Sequence, residues 1–349
     1  MTVPTRSENE RAVIFNPRMH ELLDRFRGQA LFRLEPDTVG IAGAALMDSV
    51  LRSRPAGADE RPTFQPVLGR PITRTQSATL MRALGADVRT ALDKPLGTPD
   101  LTGTWPRTPH HYLRELVFGP ERPALRALTD RRLELTPKFT WAAVVAAAAL
   151  RPGPRHRTAL STLATTVQKA DTYTERRFAL YLYRRMAAPI CFTVAALVTN
   201  ALWLAAPLDD DTPTEHILHE TLRLLPPSWN ILRRHSPEFP PLSPHLRPDD
   251  DLLLLPLLSH RDPAHWHNPD DYRPARWRHL DPDDHPGYLP FGHAGERCWG
   301  RHLVLPLATR LLDLARRDRL TIDPRQTRAR VHLHGLLEVS DVHVTRQPG

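Results

Sequence analysis

From Ala187 to Leu208 the chain carries no charged side chain. A stretch of roughly twenty apolar residues is long enough to cross a bilayer, but a helix that is apolar all round is equally the buried centre of a large globular protein. Pro189, Thr193, Thr199, Asn200 and Pro207 interrupt the run, and no cationic flank continues into a membrane topology. The pattern therefore predicts a central buried helix. Around it, Leu80, Leu84, Val88 and Ala91 recur at helical spacing within Ser77 to Leu92. Further helices are expected over Ala44–Leu51, Tyr112–Phe118, Pro123–Leu135, Trp141–Leu150 and Thr174–Met186. Thr212, Pro213 and Glu215 mark another helix start, with Thr212 as cap, Pro213 in the first turn and Glu215 three beyond the cap. Leu31–Leu34 and Val39–Ala42 alternate as paired short strands, and Leu252–Leu258 reads as a buried strand. Arg330–His334 and Val342–Val344 alternate as a C-terminal hairpin. The class is mainly α with small β-sheets.

At 349 residues the length could suit more than one domain, yet no linker, repeat or low-complexity tract marks a boundary. A single compact domain over residues 1–349 is expected, with its 36 prolines scattered through many short connections. The two cysteines, Cys191 and Cys298, lie more than a hundred residues apart, which argues against a disulfide scaffold and for a reducing, cytoplasmic setting. The N-terminal MTVPTRSENERAVIF lacks an apolar signal core, so secretion is not expected. The net charge is +8, but its arginines are dispersed rather than massed in a stripe, so nucleic acid is not the expected partner. A basic surface also steers an acidic protein. His332, His334 and His343 fall on alternate strand positions, and His110 and His111 are adjacent. With no carboxylate or cysteine motif nearby, neither set is expected to hold a metal.

The candidate chemistry sits in Phe291-Gly292-His293-Ala294-Gly295-Glu296-Arg297-Cys298-Trp299-Gly300. A thiolate at a helix start gains from backbone N–H donors and the helix dipole. One lone thiolate can hold a haem iron from one side, where zinc asks for three or four grouped ligands. The alternative is a cysteine serving as a small core residue. Two other segments agree with the haem reading in order and spacing. Glu220-Thr221-Leu222-Arg223 sets a carboxylate and a guanidinium three apart on one helical face, and Pro274-Ala275-Arg276-Trp277 follows.

Together these segments resemble the cytochrome P450 family: its Glu-x-x-Arg pair, its Pro-x-Arg-aromatic segment and its Phe-x-x-Gly-x-x-x-Cys-x-Gly haem loop. ETLRLLPPSWNILR from Glu220 to Arg233 and His260-Arg261-Asp262-Pro263 also match that family closely. The resemblance implies a buried haem b with Cys298 as the axial iron ligand, whose anionic sulfur favours O–O cleavage. It implies that Glu220, Arg223 and Arg276 form a buried structural triad and that Phe291 packs under the sulfur, with Gly292 beside it in the haem loop. Arg233, Arg82 and Arg297 are then the candidate cations for the haem propionates. The apolar run becomes the long helix crossing the haem, with Thr199 organising water and protons at bound dioxygen and Cys191 in the core.

Several positions depart from the family pattern. Ala294 stands where glycine is usual, and Glu296 where a basic residue is usual, so the loop is expected to be re-registered with Arg297 meeting the propionate. Pro306 falls inside the following helix, Val198 replaces the carboxylate before Thr199, and Ala196 replaces a glycine. The connection after Trp203 is also short. The resemblance implies a soluble oxidoreductase acting on a small-molecule substrate in bacterial specialised metabolism, by hydroxylation, oxidative coupling or desaturation. Dioxygen and electrons from a ferredoxin and its reductase would drive it, without membrane or nucleic acid. Arg276, Arg278, Arg297 and Arg301 are candidates for docking the acidic donor. Substrate contacts are expected within Arg54–Arg74, Thr162–Thr174 and Trp229–Leu232. The alternative is a degenerate relative that keeps the fold and acts as a non-catalytic helper of another enzyme.

Overall fold

A computed structural model describes residues 11–52, 67–119, 123–129, 137–149, 161–167, 172–233, 243–292, 297–332 and 335–347. In chain order its helices are α1 (Pro17–Arg25), α2 (Ala44–Arg52), α3 (Arg74–Leu92), α4 (Arg107–Phe118), α5 (Pro123–Leu128), α6 (Pro137–Ala149), α7 (Thr162–Val167), α8 (Tyr173–Ala205), α9 (Thr214–Leu224), α10 (Pro256–Ser259) and α11 (Arg301–Arg317). The strands are β1 (Ala12–Ile14), β2 (Leu31–Glu35), β3 (Thr38–Ile41), β4 (Gly103–Trp105), β5 (Ile231–Arg233), β6 (Asp251–Leu254), β7 (Leu320–Ile322), β8 (Arg328–His332), β9 (Glu338–Val339) and β10 (Val342–Arg346).

The apolar run and the helix expected before it form one element, α8, 33 residues long. Thr172 caps it by accepting a hydrogen bond from the Glu175 N–H (3.2 Å). Pro189 lies inside without ending the helix, because burial on nearly every side stabilises it more than one lost backbone bond costs. The helix stops at Ala206, held extended by the following Pro207. Long and apolar enough for a membrane, its most apolar stretch is nonetheless 89% buried inside the protein. It is a core helix, with α4, α6, α9 and α11 packed around it. One hydrophobic core extends around it from Val13 to Val344.

Two supports of this helical body were not anticipated. Thr73 and Gln76 close a capping box at the start of α3. From the buried side of the same helix, Asp87 accepts from the Thr162 and Leu163 N–H groups (2.7 and 2.8 Å), so one carboxylate satisfies the exposed donors of α7.

Among the described residues, three small sheets complete the architecture. The four-stranded sheet runs β2-β3-β6-β5, with β3 and β6 parallel and Val39 opposite Leu252. Its inner face, Val39, Ile41, Leu252 and Leu254, packs on Met47, Val50 and Leu51 of α2 in a second, smaller core. The strand expected over Leu252–Leu258 ends at Leu254, because Pro256 opens α10 and cannot donate to a ladder.

The expected C-terminal hairpin is not formed. β8 pairs with β9 and β1, whereas β10 lies between β4 and β7 in another sheet. Alternation specifies which face a strand buries, not which strand it joins, and Asp341, at φ +55°, turns the chain from one sheet to the other. Thr212 is also not a cap. Asp209 lies upstream and takes both its N–H and its hydroxyl (2.6 and 3.0 Å), leaving Pro213 at the helix start. Residues 129–135 of the helix expected from Pro123, His334, and most of the Arg54–Arg74 segment lie outside the helix or outside the described residues.

Candidate active site

Glu220 and Arg223 share the inner face of α9 and are fully buried. The Arg223 guanidinium donates to both Glu220 oxygens, Nε to Oε2 at 3.0 Å and Nη2 to Oε1 at 2.8 Å. Arg276, on a 3₁₀ turn over Pro274–Arg278, adds Nε to Oε1 at 3.0 Å, and Trp277 adds its indole N–H to Oε2 at 3.0 Å. The Arg273 backbone N–H is the fifth donor, at 2.8 Å. A carboxylate held out of water is stable only when charged or hydrogen-bonding partners surround it, and this one is surrounded. The remaining Arg223 donors reach the backbone oxygens of His260, Pro269 and Asp271. The expected triad is thus present, and it fastens α9 to the long irregular segment after α10.

That segment carries the charge cluster to the cysteine. The ring of His260 is fully buried, and its Nε2 accepts from the Leu289 N–H at 2.8 Å. Burial, then the neighbouring Arg223 and Arg261 charges, lowers its pKa to about 3, which keeps the ring neutral and able to accept. Leu289 fixes Pro290 and Phe291. Gly292 follows with φ +83°, a conformation that favours glycine, and its N–H returns to the Leu289 oxygen at 3.2 Å. The Phe291 oxygen then accepts from the Cys298 N–H at 2.7 Å. His260 is a site-supporting residue that the sequence marked only as part of a matching tetrapeptide.

Cys298 is free and exposed, two residues before Gly300, which caps α11. A side chain at Gly300 would bring its Cβ to 3.4 Å from the thiol sulfur, so the glycine keeps the thiol uncrowded. Cys191 is buried in α8, as expected of a core residue. Phe291, Gly292, Arg297 and Arg301 line a cleft of about 340 Å³ beside this loop, together with His219 and Pro306. Pro306 lies inside α11 without ending it.

The other expected site residues are placed as follows. Arg297 pairs with the Asp283 carboxylate and its backbone oxygen, and Arg301 reaches the same carboxylate at 3.2 Å. Asp283 had drawn no attention in the sequence. Arg276, engaged on Glu220 and with its side chain 12% exposed, is not a surface docking residue. Arg82 lies on the exposed face of α3 and donates to Thr79 at 3.4 Å, while Arg233 is half-buried on β5. Thr199 is fully buried in α8 and donates its hydroxyl to the Ala195 oxygen at 2.7 Å. The loop positions 293–296, including Ala294 and Glu296, are outside the described residues.

His219, in the cleft wall, bonds the Tyr288 hydroxyl through Nδ1 at 2.9 Å. Burial, the largest influence, lowers its pKa to about 4. Against about 6.5 in the unfolded chain, the folded form binds fewer protons, so this stabilisation is complete above about 6.5 and is lost as pH falls towards 4. The melting temperature is expected to drop on acidification through this window, and His219→Gln to make the decline shallower. A slope identical to the parent's would refute the assignment.

Among the described residues no group of three or more His, Cys, Asp or Glu side chains is placed to hold a metal ion. A single open thiol on a backbone-anchored turn does not suit zinc but does fit one-sided axial ligation of a haem iron. A family profile described as "Cytochrome P450" matches residues 212–305, the block holding α9, the Glu220 cluster and the Cys298 turn. Over these residues the sequence is that of the cytochrome P450 family.

Cyclooctatin synthase of Streptomyces melanosporofaciens is 34% identical over 111 residues, covering 30% of this chain and 24% of that protein. The bifunctional cytochrome P450/NADPH–P450 reductase 1 of Bacillus subtilis is 29% identical over 134 residues, covering 38% and 12%. The chain thus matches no more than about a quarter of the length of these curated relatives. The fold match extends much further. CYP175A1 from Thermus thermophilus aligns over 95% of both chains with a TM-score of 0.60 at 17% identity. The P450DA haem domain aligns over 97% of this chain and 98% of its own with a TM-score of 0.61 at 15% identity. The cysteine side of the site therefore rests on sequence and fold together. The α8 side, including Thr199, lies outside the matched block and rests on fold alone.

Proposed function

We propose that this protein is a haem-thiolate oxidoreductase of the monooxygenase type, with Cys298 as the axial ligand of haem b. The open Cys298 thiol, tied through Phe291, Leu289 and His260 to the buried Glu220 cluster, carries this reading. Bound there, the haem would supply the centre at which dioxygen is activated, with the anionic sulfur favouring O–O cleavage. Arg233 and Arg82 are the proposed propionate partners. Arg297 joins them only by exchanging Asp283 for a propionate.

Thr199 is proposed to hold water and pass a proton. For this its hydroxyl must turn from the Ala195 oxygen. Val198 provides no carboxylate on that turn, so any proton relay runs through hydroxyl and water alone. The proposed substrate is a small molecule of bacterial specialised metabolism, a reading supported by the likeness to cyclooctatin synthase. Hydroxylation, oxidative coupling or desaturation is the proposed outcome. A ferredoxin with its reductase is the proposed electron source, in a soluble cytoplasmic setting, with the exposed Arg278 and the Arg297–Arg301 pair on the docking side.

The deciding experiment is the ferrous–carbon monoxide difference spectrum of haem-reconstituted protein. A red-shifted Soret band of the thiolate type is the expected result. No haem uptake, or a band typical of a neutral ligand, would overturn the proposal and favour a non-catalytic helper.

A further inference from the structure

Asn200 follows Thr199 on α8 and is fully buried. Its carboxamide bonds three backbone groups from two other parts of the chain. Nδ2 donates to the Leu225 oxygen at 2.9 Å and to the Leu337 oxygen at 3.0 Å, while Oδ1 accepts from the Val339 N–H at 2.8 Å. Leu225 ends α9, where helical carbonyls lack a partner within the helix. Leu337 leads into β9, and its N–H crosses to the Pro227 oxygen at 2.9 Å. The two segments are therefore bonded to each other and to the same amide.

An apolar side chain would satisfy none of these groups, and a buried polar atom left unpaired destabilises the fold. A saturated buried amide also fixes geometry, because a shifted segment loses bonds that nothing else replaces. What it fixes matters to the site. The segment that starts at Leu225 continues through Trp229–Leu232, expected to meet substrate, to Arg233 on β5. Successive helix residues point about 100° apart, so Thr199 and Asn200 face different neighbours from one rigid turn.

Building on the function proposed above, we infer that Asn200 is a positioning residue. It holds residues 225–233 and the Leu337–Val339 segment against α8 and so sets how much room a ligand finds between Trp229–Leu232 and the helix. Asn200→Asp tests this, since it keeps the shape and the acceptor for Val339 but removes both donors. Met19→Ala, buried on α1, controls for general destabilisation. Asn200→Ser, which keeps one donor, serves if the aspartate does not fold.

Two readouts are taken on full-length protein: hydrogen exchange of the Leu337 and Val339 amides, and dissociation constants of haem-loaded protein for imidazole and 4-phenylimidazole from the Soret shift. For Asn200→Asp, amide protection should fall about tenfold. The ratio of the two dissociation constants should shift about fivefold with the thiolate spectrum retained. Met19→Ala should move neither. An unchanged ratio overturns the inference, even if protection falls, because Asn200 would then be only a structural tie. If the parent takes up no haem, the proposed function fails, and exchange alone decides: unchanged protection overturns the tie and lost protection upholds it.

Discussion

Glu220→Ala is expected to destabilise the fold by about 3–5 kcal/mol, a large share of the roughly 5–15 kcal/mol available to a typical domain. The carboxylate receives five donors from Arg223, Arg273, Arg276 and Trp277. Removing it leaves the Arg223 guanidinium buried without a counter-charge, and the cost is that of an uncompensated ion rather than of one lost contact. Trp266 lies beneath the guanidinium, 5.1 Å from its ring centroid, and Trp277 donates directly to the carboxylate. Tryptophan fluorescence during urea unfolding of the apo-protein therefore reports on this region. Glu220→Gln, which keeps one acceptor, should fall between the parent and the alanine variant. A Glu220→Ala midpoint equal to the parent's would refute the structural role, whatever happened to activity.

The same cluster shows why part of the site was legible in the sequence. A carboxylate and a guanidinium three residues apart are neighbours on any helix, so Glu220 and Arg223 were fixed by local geometry once α9 was recognised. Arg276 and Cys298 depend on distant segments, and only resemblance to a family joined them to that pair. His260, Asp283 and Asn200 escaped because each acts on backbone or on a partner at long range. The His260 acceptor meets Leu289, and the Asn200 amide meets Leu337 and Val339. A polar residue inside an apolar run shows only that it needs partners, not which ones.

The strands divide in the same way. Alternation located β2, β3 and β10, and the short turn after Glu35 was enough to pair the first two. It could not place β10 between β4 and β7, because β4 lies more than two hundred residues upstream of it. Helix starts were misread where an upstream acceptor competed for the cap, as Asp209 does for Thr212.

Cys298→Ser is expected to do the opposite of Glu220→Ala: stability unchanged to within about 0.5 kcal/mol, as for other exposed substitutions, and thiolate ligation abolished. The thiol is exposed, and the turn is held by the backbone bond from Cys298 N–H to the Phe291 oxygen. A serine hydroxyl fits the same space beside Gly300, but it ionises far less readily than a thiol and does not give the soft anionic ligand. The haem-reconstituted variant should therefore melt with the parent as apo-protein yet lose the red-shifted carbon monoxide band and substrate oxidation together. Retention of that band would refute Cys298 as the ligand. Loss of the band with unchanged product formation in the producing cell would instead separate haem binding from the biological role and leave a scaffold function for the fold. Paired with Glu220→Ala, the experiment separates the two halves of the site. The buried ion cluster is expected to stabilise the turn, and the exposed sulfur to supply the proposed haem ligand.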